Sequence, residues 1–253
     1  MTAYELMVKT NHYLIRNPSE ESLSPAQKRR IVTELLAARS TSEQCRRFYL
    51  GVKFPDNRDS HGRRMYPNFF IPPYNGGKKY GTILGQLPKT HILSANMYEL
   101  EILRLLHLFA PDDCDVRAMT EATLERLYHT CFGNEDDGVG ECFDTNLVVI
   151  RYLCAAAPHD LIRIRSRMSV YERHRDEKKR PWYVEWYYRL CLSEAPYALS
   201  EQRIRDTLPS VQSWLTGENI AVPGRDADPT LLQAIARNMT TRLRECPEFT
   251  KKQ

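Results

Sequence analysis

Apolar residues return every three or four positions along most of this chain, which is the signature of amphipathic helices. Leu6, Tyr13 and Leu14 share one side of a first helix, with Thr2 and Glu5 placed as a capping box. Ser24-Pro25 sets a capping hydroxyl before a proline, ahead of Ile31, Leu35 and Leu36. A short helix over 42–50 follows and ends at Gly51. From Ser94 the rhythm resumes with Ile102, Leu105, Leu106 and Phe109, answered by Val116, Met119, Leu124, Leu127 and Cys131. Asp144 is expected to cap a helix over 147–157, and Asp160 one over 161–174. Trp182, Trp186, Tyr187 and Leu190 mark another helix, with Ser200 the expected cap of its partner and Pro209 splitting that partner. Asp228-Pro229 opens a last helix through Leu231, Leu232, Ile235, Met239 and Leu243.

Three of these helices end in nearly the same octapeptide. The copies are RLLHLFAP (104–111), RYLCAAAP (151–158) and RLCLSEAP (189–196). Each reads arginine, two mostly apolar residues, three variable residues, then Ala-Pro, and a further helix follows each proline. A helix–Pro-turn–helix unit of this kind resembles the HEAT/armadillo repeats, over about residues 94–216. The resemblance implies an all-α fold: a right-handed stack of antiparallel helix pairs, a HEAT-like α-solenoid. Solenoids of this kind serve as binding surfaces.

The rhythm fails between 51 and 90. That stretch holds Gly51, Gly62, Gly76, Gly77, Gly81 and Gly85, more than half of the chain's 11 glycines, together with five prolines. It reads as a long loop insertion with room for a short hairpin at Asn75-Gly76-Gly77. Phe54, Tyr66, Phe69, Phe70, Tyr74 and Tyr80 argue that it is ordered. A long loop in a helical domain points to function. The organisation is then a helical segment over 1–50, the loop insertion over 51–93 and the repeat region over 94–247, in one continuous domain.

A net charge of +4 over 253 residues is only mildly basic, so a nucleic-acid reading has to rest on local clusters. Residues 1–17 have no cleavable apolar core, and no run reaches the length of a membrane span. Seven cysteines, an odd number, point to a reducing cytoplasm rather than a disulfide framework.

Two basic clusters stand beside aromatics. The first is Arg163, Arg165, Arg167, Arg173, Arg175, Lys178, Lys179 and Arg180, followed at once by Trp182 and Tyr183. The second lies in the loop: Arg63, Arg64, Tyr66, Lys78 and Lys79. Cations for phosphates beside flat rings for unpaired bases suit a nucleic-acid surface, and equally an acidic protein partner. The repeat arginines Arg104, Arg151 and Arg189 fall at one position of the unit, where stacking would align them as a ladder for phosphates or carboxylates.

No nucleophile motif or P-loop is present, and no cofactor or metal is expected. His129, Cys131 and Cys142 lack the paired spacing of a zinc site. The one enzyme class left open is base excision, where Trp182, Glu185 and Trp186 loosely resemble the set used by HEAT-like DNA glycosylases. The expected role is therefore a cytoplasmic, membrane-free binding protein for a polyanion, most favourably nucleic acid. A protein-interaction or inhibitor module using the 51–90 loop is the alternative.

Overall fold

The computed structural model describes residues 1–19, 22–53, 58, 61–73, 79–130, 140–175, 182–217, 223–224 and 227–244, with the side chains of 140–142 and 175 left out. The described chain is all-helical: α1 (Ala3–Arg16), α2 (Pro25–Ala37), α3 (Ser42–Gly51), α4 (His91–Phe109), α5 (Cys114–His129), α6 (Gly140–Ala156), α7 (Leu161–Arg175), α8 (Trp182–Glu194), α9 (Tyr197–Thr207), α10 (Gln212–Thr216) and α11 (Pro229–Arg244). Among the described residues the one β pairing is an isolated antiparallel bridge between Arg58 and Arg64.

Helix starts follow local chemistry. Thr2, Ser24 and Thr41 each accept from the backbone three residues on, while Glu5, Gln27 and Gln44 reach back to the cap residue. Asp160 accepts from the Arg163 amide, and Asp228 from those of Thr230 and Leu231. A 3-10 turn at Leu208–Val211 separates α9 from α10 around Pro209. Three starts differ from expectation. Helix α4 begins at His91 under Thr90, and Ser94 instead exchanges hydrogen bonds with the Tyr80 backbone. Helix α6 begins at Gly140, which puts Asp144 inside it, where it accepts from the Gln86 side chain. Helix α9 begins directly after Pro196, so Ser200 lies buried one turn in. Pro196 is the cap residue of α9, and no side chain caps its first turn.

Helix α4 is the centre. Every residue from 93 to 106 is buried, so the helix is surrounded rather than one-sided. It packs on α1, α2, α5 and α6; α6 packs on α7 and α8; α8 packs on α9 and α11; and α11 returns to α1. Helices α4, α6, α8, α11 and α1 thus form a closed circuit around a single apolar cluster that runs from Leu6 to Leu243. The Asn238 side chain donates to the Ile15 carbonyl, and Arg16 pairs with Asp228, where the circuit closes.

At the centre of that circuit sits a network of buried charge. Arg151 grips Glu194 with two parallel bonds, Nε to Oε2 and Nη2 to Oε1, both at 2.8 Å. Its Nη1 donates to Glu101 Oε2 at 2.6 Å. Arg104 adds a third cationic contact to Glu194 Oε2 at 2.8 Å and reaches Asn11 Oδ1 at 3.2 Å. Tyr187 donates its hydroxyl to the other oxygen of Glu101. Helices α1, α4, α6 and α8 are all bound into this network. Burial works against the charge of Arg151, yet Glu101 and Glu194 hold it well above the usual arginine value. Burial likewise works against the Glu194 carboxylate, but Arg104 and Arg151 keep it below the ordinary range.

The repeat arginines therefore do not form a ladder. Arg104 and Arg151 converge on Glu194, which is itself the sixth residue of the third octapeptide. Arg189 turns elsewhere, over the Trp186 ring at 4.6 Å and onto the Ser210 hydroxyl.

The insertion is partly core. Phe70, Ile71, Ile83 and Leu84 are buried, so the described parts of 61–90 pack into the apolar core. The hairpin expected at 75–77 lies outside the described residues. Gly81 is fixed by crowding: a Cβ there would meet the Gln86 carbonyl oxygen at 2.7 Å, across a turn in which Thr82 donates to that same oxygen.

Two outcomes follow from this architecture. Gly81→Ala must open that turn and is expected to cost about 1–3 kcal/mol in chemical denaturation. Glu194→Gln removes the shared carboxylate. Because the folded value of Glu194 lies below its unfolded 4.5, wild type should be the more stable protein above that pH. The advantage should vanish as pH falls through the lowered folded value, read as converging thermal midpoints.

Candidate functional site

Members of both basic clusters of the sequence, Arg63 of the one and Arg163 and Arg167 of the other, reach the C-terminal turn of α5. Arg163, from the first turn of α7, lays its guanidinium over the Tyr128 ring at 3.6 Å. Arg63, from the insertion, donates to His129 Nδ1 at 3.1 Å. The accepting nitrogen is the unprotonated one, so the proton of neutral His129 is on Nε2, 3.9 Å from Glu125. Beneath them, buried Arg167 donates to the Leu127 carbonyl at 3.3 Å. A helix C-terminus is the negative end of its dipole, which accounts for cations gathering there.

The insertion is aimed by one buried carboxylate. Glu99 Oε2 accepts from three consecutive backbone amides, those of Asn68, Phe69 and Phe70, at 2.7, 2.6 and 3.1 Å. Its other oxygen accepts from Arg126 Nη2 at 3.0 Å, and Arg126 Nη1 donates to Asn96. Both members of this pair are almost fully buried, with side-chain exposures of 4% and 1%. Clamping 68–70 against α4 and α5 brings the preceding turn with it. In that turn Gly62 takes a left-handed φ of 73°, Arg58 bridges Arg64, and the Arg58 side chain donates to the Gly62 carbonyl.

The result is a groove in two connected parts. A cleft of about 450 Å³ is lined by Arg58, Arg63, Arg64, Asn68, Phe69, Arg126 and His129, with Glu99 and Glu125 as its acids. A smaller one of about 340 Å³ shares Arg64, Asn68 and Phe69 and adds Arg39, Ser40 and Cys45. Arg39 stands over the Phe69 ring at 5.5 Å. Arg39, Arg58, Arg63 and Arg64 are exposed, while Glu99 is neutralised by Arg126. The groove can therefore hold negative charge on four exposed guanidiniums beside a half-buried aromatic ring.

Other expected site residues are placed differently. Arg167 is 1% exposed and cannot touch a partner; burial and the nearby Arg163 charge lower it to about 10. Arg163 is half engaged, paired with Asp160 at 3.1 Å. Burial pushes Asp160 upward, but the Arg163 amide and guanidinium and the Tyr128 hydroxyl hold it below the usual carboxylate value. Arg165 and Arg173 are exposed on α7. Trp182 and Tyr183 are partly buried against the core, and Trp182 lies so close under Gly224 that a Cβ there would come within 2.4 Å of its Nε1. Tyr66 stacks on Tyr49, and Lys79 donates to the Lys89 carbonyl. Lys78, Lys178, Lys179 and Arg180, and the side chain of Arg175, lie outside the described residues.

Trp186 is buried edge-on to Trp214. His129 is engaged by Arg63, and the Cys131 and Cys142 side chains lie outside the described residues.

The sequence reading passed over Arg39, Glu99, Arg126 and Tyr128. A signal existed for two of them. Glu99 stands with Glu101 and Arg104 among the charged residues of the buried stretch of α4, and Arg126 falls on the buried stripe of Met119, Thr123 and Leu127.

Comparison with protein-family models, with curated proteins and with solved structures finds no match.

Glu99→Gln leaves Arg126 buried without its counter-charge. Hydrogen exchange at the amides of 68–70 should accelerate at least tenfold, with α8 unchanged.

Proposed function

We propose that this protein binds a single-stranded nucleic acid along the groove at the C-terminal end of α5. The observation that carries the reading is the meeting of Arg63 and Arg163 on consecutive residues, Tyr128 and His129. Two clusters that are far apart in sequence thereby contribute to one positive region. Arg39, Arg58 and Arg64 extend it across the insertion, and Arg165 extends it along α7. Phosphates supply the binding energy in such a region, and a ring such as Phe69 beside the guanidiniums suits an unstacked base. A duplex would need a helix or ribbon projecting into a groove, whereas here the basic residues line a recess.

The same reading treats α4–α5, α6–α7 and α8–α9 as successive units of a HEAT-like stack that α1 and α11 close. Its support is the row α4, α6, α8, in which each helix ends at Ala-Pro, and the contact of each with the helix that follows it. A reducing compartment, the cytoplasm, suits the free buried thiols of Cys45, Cys154 and Cys191.

Fluorescence anisotropy with a labelled single-stranded oligonucleotide tests the proposal. Wild type should bind at low salt, with log K falling linearly against log salt. The double variant Arg63→Gln/Arg64→Gln should bind about tenfold more weakly at moderate salt. Its salt slope should be smaller by about 1.4, the loss of two phosphate contacts on a single strand. Arg30→Gln, on the exposed face of α2, should bind as wild type does. Absence of binding at low salt, or an unchanged slope in the double variant, overturns the reading.

A further inference from the structure

The smaller part of the groove has a chemistry of its own. Arg39 and Ser40 of the α2–α3 connection, Ser42 and Cys45 of α3, and Arg64 and Asn68 of the insertion surround about 340 Å³. That volume lies at the low end of the range for small-ligand pockets, room for one nucleotide unit rather than a run of strand. No acid is among its described lining residues.

Arg39 and Arg64 are exposed, and among the described residues neither has an ion-pair partner. The carboxylates that stand nearby are committed elsewhere. Glu43, next to Ser42, is held by Arg46 at 2.8 Å and by Arg47 at 2.7 Å. Glu99 gives one oxygen to three backbone amides and the other to Arg126. Two hydroxyls add neutral donors. The Ser40 amide donates to the Phe69 carbonyl at 2.8 Å, and Ser40 Oγ accepts from the Ile71 amide at 2.8 Å. A hydroxyl that accepts in this way still has its own proton to give. Ser42 is exposed on the first turn of α3.

An internal phosphodiester offers one negative charge and two free oxygens. A phosphomonoester carries about 1.5–2 negative charges near neutral pH and three free oxygens. Two guanidiniums without counter-charge, flanked by two hydroxyls, match the second better than the first.

We propose that this part of the groove seats the terminal phosphate of a strand, a phosphomonoester at its 5′ or 3′ end. The proposal rests on the reading of the groove as a single-strand site and adds that the strand is recognised by its end. The phosphate lies between Arg39 and Arg64, with Ser40 and Ser42 donating to its remaining oxygens. The first base borders Phe69, which lines both parts of the groove, and the strand continues past Arg58 and Arg63 toward α5.

Fluorescence anisotropy on the full chain tests this, with an internally labelled oligonucleotide bearing a 5′-phosphate, a 3′-phosphate or hydroxyls at both ends. At least one phosphorylated form should bind about tenfold more tightly than the hydroxyl form, the scale of a charge-assisted contact, and the tighter form gives the polarity of the strand. Arg39→Gln should bring the three forms to one affinity, while the hydroxyl form loses no more than about threefold. Should Arg39→Gln fail to fold, Arg64→Gln carries the same test. Arg165→Gln, on α7, should keep the full preference. Equal binding of the three forms by wild type, or an undiminished preference in Arg39→Gln, overturns the terminal seat and leaves the groove reading standing. Binding of no form at low salt removes both. Capture of a phosphoserine peptide by a chain that binds none of the strands puts the phosphate on a protein partner and also overturns both.

Discussion

The shared carboxylate of Glu194 is the constraint on which the rest of the fold depends. Two arginines from different helices would repel each other in the core if it were not between them. A buried ion network is an uncertain source of net stability, because desolvation offsets much of the attraction. What it does supply is selection among arrangements. The observed packing of α4, α6 and α8 brings two guanidiniums, two carboxylates and the Tyr187 hydroxyl into register, and rotating any of these helices would leave one of those groups without its partner. The asparagine at position 11 ties α1 to the same solution.

A second buried acid plays the corresponding part for the surface. Glu99 holds three backbone amides of the insertion, and a carboxylate so committed cannot shift without releasing all three. The exposed arginines of the groove sit on a segment that has little secondary structure of its own. Their placement depends on a side chain two positions from Glu101, on the same central helix. Glu99 of α4 thus sets the placement of the surface segment, while Glu194 of α8, with Glu101 of α4, sets the packing of the helices.

Much of the architecture was legible in the sequence because helical periodicity and capping are local. Thr2 with Glu5, Ser24 with Pro25, and the split at Pro209 all act over a few residues, and the structure has them where the pattern puts them. The repeat arginines were legible as a pattern but not in their destination. A guanidinium at the edge of an apolar stripe can turn outward or inward, and its choice depended on Glu194, which stands 43 residues beyond Arg151. Arg167 illustrates the same limit. It belongs to a basic run, yet it faces inward because the Leu127 and Asn146 acceptors lie across the helix interface. Charge clustering along a chain says where cations are abundant; only packing decides which of them meet water. The convergence at α5 was invisible for the same reason, since nothing local to 63–64 or to 163–167 names the end of another helix.

The closure of α11 onto α1 has a consequence for how the chain acquires this shape. Asn238 bonds to the backbone at Ile15 across a separation of 223 residues, and Arg16 finds Asp228 at nearly the same span. Helix α1 leaves the ribosome long before α11 and must keep one face waiting until α11 has been synthesised. Loop closure over such a span is slow compared with the pairing of adjacent helices. During that interval the apolar faces of α1 and α8 are open. Assembly of the helix pairs from α4 to α9 can run ahead during synthesis, but the contact of α11 with α1 waits for α11 itself.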